Sequence, residues 1–330
     1  MTASAWPWDS APPSLVTRLG ARLVDQLDAD ALYLLIDPGQ GDPPGIEVEE
    51  APSAIPPNGV LRARKAAWNR EIHSLHTHTH RRFTVADFPY LVRLTGGDDP
   101  WLATSIKWAI QEHLQACAVG AGAYRIGGWL QVDAARDGGV LARQLSTLMQ
   151  YSAPDGAFMQ ARLQDRRVLH LLRQGVPLDW AASLRGIRLW SYLDHNLSLQ
   201  QLKGAQGEPA LQPLPPAVAQ SGLLDWSHAV HAAQTRWLRT TFPLPENALT
   251  LVLDKLKVAE RRGLRYPTDQ GAYVAETLVQ PAFEHWPELD RLIHVVTIFR
   301  QDLSDGMDLF RTAWAGKSRD HWPNLQQSPT

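Results

Sequence analysis

Apolar residues recur with two different periods along the first two hundred positions and with only one beyond them. Leu15, Leu19, Leu23 and Leu27 keep a four-residue spacing after Pro13 and Ser14, which predicts a helix. Residues 31–36 are an unbroken apolar run stopped by Asp37, Pro38 and Gly39, the pattern of a buried strand and a turn. Residues 38–60, rich in Pro and Gly, read as loop, and 88–94 as a second strand ended by Gly96 and Gly97. Asp98, Asp99 and Pro100 open a helix to about 118, with acids at the positive end of its dipole. An extended stretch over 124–132, a helix over 138–148 and a hairpin turning at Pro154, Asp155 and Gly156 follow. A short helix over 165–172 and a strand over 187–193 complete this half. Past 220 the spacing is helical only: Trp226, Val230, Ala233, Trp237; then Leu249, Val252, Leu253, Leu256 with Gly263 as a stop; then Leu289, Leu292, Ile293, Val296. Residues 203–220, with Pro213, Pro215 and Pro216, read as a linker. The expected architecture is an α/β (α+β) lobe built on a mixed sheet over 1–202, the linker 203–220, and an all-helical lobe over 221–330.

Composition narrows the function classes. Lys and Arg number 32 against 34 Asp and Glu, a net charge of −2, which leaves no basic field for general nucleic-acid binding. The single Cys117 excludes an intrachain disulfide and any multi-cysteine metal site, and fits a reducing compartment. Residues 1–13 have neither the basic nor the apolar region of a signal peptide, and no run approaches the roughly 18 apolar residues of a membrane helix. A cytoplasmic location is the expectation. Tryptophan is out of proportion, 13 against seven Tyr and seven Phe; its large apolar body and single N–H suit both cores and interface anchors.

Catalytic signatures are missing. Gly316, Lys317 and Ser318 resemble the end of a phosphate loop, but Arg311 stands where its first glycine belongs. Gly120 and Gly122 begin a dinucleotide fingerprint that Arg125 breaks. His73, His76, His78 and His80 precede Arg81 and Arg82; on a strand, His76, His78 and His80 would share a face and could hold zinc or nickel. With no second-shell carboxylate beside them they read as an exposed loop or edge strand, so neither a metal nor a cofactor is expected. The competing readings are a metal-dependent hydrolase using His76, His78 and His80, and a generic peptide-binding module. On the helix at 99–118, Leu102, Ile106, Ala109, Ile110, Leu114 and Cys117 share one face, while Trp101 and Trp108 lie about 150° away among Ser105 and Glu112. Either this helix is buried on both sides, or Trp101, Trp108 and Glu112 form a partner-binding surface. Arg236 and Arg239 mark the alternative surface on the helical lobe.

Four segments, in this order and spacing, resemble the DUF4123 family, the adaptor chaperones of bacterial type VI secretion. They are residues 32–37 with the terminal Asp37 and the following Gln40; 89–94 with the helix starting near Trp101; Arg162-Leu-Gln-Asp165-Arg-Arg167-Val-Leu169; and 190–194. The likeness spans about 15 to 200. Gln164 replaces an aromatic and Arg166 a proline of the family's pattern, whereas Arg162, Asp165 and Arg167 are kept. The resemblance implies a non-enzymatic cytosolic adaptor that binds a secreted effector and helps load it onto the VgrG spike. On the residues themselves, Asp165 sits where a strand gives way to a helix and can cap it, with Arg162 or Arg167 as its ion-pair partner. That makes Asp37, Arg162, Asp165 and Arg167 structural expectations.

Overall fold

A computed structural model of the chain describes residues 12–25, 31–46, 57–76, 85–119, 122–153, 155–285, 289, 290, 293, 294 and 297. Two compact units divide between Leu224 and Asp225. The first contains, in order, α1 (Pro13–Val24), β1 (Ala31–Ile36), α2 (Pro57–Trp68), β2 (Ile72–Ser74), β3 (Tyr90–Leu94), α3 (Pro100–Val119), β4 (Ile126–Val132) and α4 (Gly138–Leu148). It continues with β5 (Gln150–Ser152), β6 (Phe158–Gln160), α5 (Arg166–Gly175), α6 (Trp180–Ser183), β7 (Leu189–Leu193), β8 (Leu199–Lys203) and α7 (Ala217–Gln220).

Six of these strands form one sheet in the order β2-β3-β1-β4-β7-β8, and every neighbouring pair is antiparallel. The expected mixed sheet is thereby corrected. β3 and β4 do run parallel to each other, bridged by the long helix α3, but β1 lies between them and makes both contacts antiparallel. Buried on both faces, β1 reads as continuous apolar sequence. Leu32, Leu34 and Ile36 face a core shared with Val92 and Leu94 of β3, Leu19 and Leu23 of α1, Trp68 of α2, and Leu102, Ile106, Ile110 and Leu114 of α3. Tyr33 and Leu35 point the other way by strand alternation, toward the side where α4 and α5 pack. Opposite the end of β1, β4 carries an extra residue: Leu35 pairs with Gly128 and Ile36 with Ile126, leaving Gly127 in a bulge.

Several segments depart from the sequence expectation, β2, α6 and the helix Pro267–Val279 among those it did not contain. α2 starts inside the stretch read as loop and runs to the buried Trp68. β8 extends the sheet beyond β7. Residues 203–220 are packed, not free: Leu214 and Val218 are buried, and the Leu214 amide donates to the Gln150 carbonyl at 2.8 Å.

α8 (Leu223–Leu238) leads into the second unit, which holds α9 (Ala248–Arg261), α10 (Pro267–Val279) and a 3-10 turn, Pro281–His285. Gly271 lets α10 approach α8 closely; a Cβ there would stand 2.5 Å from that of Ala232. Tyr273 and Phe283 stack at 5.9 Å in this core. Leu289 and Ile293 are buried, and Leu292 and Val296 of the helix expected there lie outside the described residues. Among the described residues no helix is long and apolar enough to cross a membrane.

Candidate functional site

The C-terminal end of β1 and the N-terminus of α5 meet in a dense polar network. Asp37, the first residue after β1, donates its amide to the Arg125 carbonyl at 2.7 Å. Its carboxylate accepts from the Gly39 amide at 3.1 Å and from Arg162 Nη2 at 2.6 Å. Arg125 then donates to the carbonyls of Gly41 and Gln40. Further along the same loop, the buried Arg64 grips both carboxylate oxygens of Asp42, and Tyr90 donates its hydroxyl to Asp42 at 2.5 Å. The Arg64 guanidinium also lies 4.3 Å over the Tyr90 ring. Three arginines from distant parts of the chain thus fix the turn that follows β1.

Asp165 caps α5 as expected. Its carboxylate accepts from the Arg167 amide at 3.0 Å and from Arg167 Nε and Nη2 at 2.9 and 2.6 Å. Of the two arginines considered as its partner, Arg167 takes the role; Arg162 reaches across to Asp37 instead. Arg167 also stacks 3.9 Å over the Tyr124 ring. Arg166 turns inward, fully buried, and donates to the Ala109 carbonyl of α3. Gln164 is buried as well.

Glu112 is corrected from a surface residue to an internal one. It is buried, accepts from the amides of Arg125 and Ile126 at 3.1 and 3.4 Å, and stands 3.8 Å from Arg125 Nη1. Burial pushes its carboxyl up to about 7, although Arg166 and both amides favour the charged form. The reason is positional: Glu112 faces the start of β4, where the two amides donate to it, with the buried Arg166 of α5 nearby.

Sequence reasoning missed a second set of groups beside this one. His113 Nδ1 lies 3.1 Å from Tyr124 Oη and its Nε2 3.7 Å from Cys117 Sγ, all three buried. Burial, with Arg166 nearby, lowers the His113 imidazole to about 3. His170 Nδ1 is 3.2 Å from Tyr192 Oη, and its ring packs edge-on against His195 at 5.2 Å. Burial holds both of those imidazoles below their ordinary value. The i, i+4 spacing of His113 and Cys117 on an apolar stripe was the available signal.

Trp101 and Trp108 resolve into a mixture of the two expectations. Both are half-buried and pack on Trp68, at 4.8 and 6.1 Å between ring centroids, and on each other at 5.8 Å. One side of each ring joins the core and the other stays at the surface. Arg236, half-buried on α8, and Arg239, exposed just past it, belong to the second unit, and Trp101 and Trp108 to the first. His76 packs edge-on against Phe88 at 6.1 Å, while His78 and His80 lie outside the described residues, as do Gly120, Gly316, Lys317 and Ser318. His73 pairs with Glu71 at 2.8 Å. Among the described residues no group of three or more His, Cys, Asp or Glu is placed to hold a metal. No family model matches the chain, and neither a curated protein nor a solved structure is similar to it.

Proposed function

We propose that this chain is a non-enzymatic cytosolic adaptor chaperone that binds a type VI secretion effector and helps load it onto the VgrG spike. One observation carries the reading. Of the charged residues on which the family resemblance rests, Asp37 and Arg162, 125 positions apart, form one ion pair, and Asp165 and Arg167, two positions apart, form another. The Asp37–Arg162 pair joins two of the resembling segments, which supports the reading. The half-exposed Trp101 and Trp108, anchored on Trp68, supply the rigid aromatic surface that protein recognition favours. Co-expression with the effector and spike proteins encoded beside it, followed by pull-down, is the direct test. Retention of the effector, and its failure to be secreted when this chain is deleted, is the expected result. If neither protein is retained and secretion proceeds without the chain, the proposal falls.

A further inference from the structure

The three helices on one face of the sheet carry an uneven charge. α1, α2 and α3 all pack on the core lined by Leu32, Leu34 and Ile36, so their outer sides share one layer. Exposed on that layer stand Arg18 and Arg22 of α1, Lys65 of α2 and Lys107 of α3. None of these four is ion-paired among the described residues. α1 and α2 contain no acid at all, and the only one in α3 is Glu112, which is buried. Among the described residues the flanking acids are Asp25, which ends α1, Glu71, which pairs with His73 and Arg93 after α2, and Asp98 and Asp99 before α3, of which Asp99 is buried and holds Arg70. A chain with a net charge of −2 therefore gathers on one helical layer four cations that have no ion pair among the described residues. The tryptophan trio joins two of these helices, Trp68 from α2 with Trp101 and Trp108 from α3.

We infer that this layer docks an acidic, apolar-faced segment of a partner protein, with Trp101 and Trp108 as the central contact and Arg18, Arg22, Lys65 and Lys107 around them. The inference rests on the adaptor reading and gives that adaptor's partner a chemistry. Charge complementarity steers encounter and selects the partner, while desolvated aromatic surface supplies the larger share of affinity. An anionic membrane offers the same charge, but both rings pack against Trp68 and the core instead of projecting, so they have little to insert into lipid. A nucleic acid is disfavoured by the net negative charge of the whole chain.

The test uses the full chain and four probes. An acidic amphipathic peptide of Glu and Leu, about 20 residues long, is titrated beside its Lys-for-Glu counterpart, phosphatidylserine vesicles and single-stranded DNA. The acidic peptide is expected to bind, more weakly as salt rises, and the basic one not to bind. Lys65→Glu with Lys107→Glu should weaken binding by roughly tenfold or more with an unchanged melt, since both side chains are exposed. Trp108→Ala should weaken it comparably at low salt and at high salt. Equal binding of the two peptides, an unaffected charge-reversed variant, or tighter binding of vesicles or DNA overturns the inference. The same variants are carried into the effector pull-down. An effector retained equally by the parent and the charge-reversed chain sinks this surface and leaves the adaptor reading standing. An acidic peptide that binds while no effector is retained does the reverse.

Discussion

Asp165 does two separable things. It caps α5 through the Arg167 amide and neutralises the Arg167 guanidinium. Asparagine keeps the first and loses the second. Asp165→Ala should therefore destabilise the start of α5 by about 1–3 kcal/mol and Asp165→Asn by about 1 kcal/mol or less. Hydrogen exchange of the α5 amides reads this within the unit concerned, which a whole-chain melt of a two-unit protein does not. Equal protection factors in the two variants would mean that the cap contributes nothing. Arg166 poses a different question. It is the strongest opposing influence on the buried Glu112 carboxyl, so Arg166→Met should move that carboxyl above its value of about 7. Carboxyl carbon-13 titration of the variant measures the shift; an unchanged or lowered value would show that the two groups do not sense each other.

β4 is the element whose sequence looks least like its structure. Two glycines stand in the middle of a strand, where each normally costs stability. Gly127 forms the bulge, and a Cβ on it would meet the Gln164 carbonyl oxygen at 2.5 Å. Gly128 has φ of +134°, and a Cβ there would lie 2.4 Å from the Ser191 carbonyl oxygen of β7. Gly128→Ala combines backbone strain with a backbone clash, and a loss of at least about 2 kcal/mol is expected. Denaturation midpoints of the purified variant check it; a parent-like midpoint would mean that β4 and β7 can separate at no cost. Elements with strong apolar periodicity were legible without coordinates, β1, β3, α3, α4 and α5 among them. α2 was not, because Arg62, Arg64 and Lys65 interrupt its apolar side and its one decisive anchor, Trp68, is its last residue. β8 was hidden by Gln200 and Gln201, and α10 by small residues chosen for close helix contact, Gly271 above all. Of the polar network, Asp37, Arg162, Asp165 and Arg167 stood out in the sequence, whereas Arg64, Asp42, Tyr90 and Arg125 did not, because which arginine meets which aspartate depends on a crossing between segments that no local pattern records.

On the scale of the whole molecule, buried titratable groups set a direction for pH dependence. His113, His170 and His195 all have imidazoles lowered from 6.5 by burial. The unfolded chain then binds these protons more readily, so their contribution is complete above pH 6.5 and drains away as pH falls below it. Glu112, raised from 4.5 to about 7, acts in the opposite sense: its contribution is lost as pH rises from 4.5 through 7. Three groups outweigh one, and the first unit should lose stability between pH 6.5 and pH 4. Denaturant midpoints measured across that range are the check, and a midpoint that rises on acidification would reverse the assignment. The antiparallel order of the sheet has a consequence for synthesis. β1 finds both of its neighbours once Val132 has been made, yet β4 stays open along its other side until β7 arrives, and β7 is itself an edge until Lys203 closes the set. At roughly 5–20 residues per second, the ribosome leaves that side of β4 uncovered for several seconds. A nascent chain stalled in this interval presents a bare apolar strand to its polysome neighbours, so slow codons between 132 and 189 should lower the soluble yield, whereas the same codons placed after 203 should not.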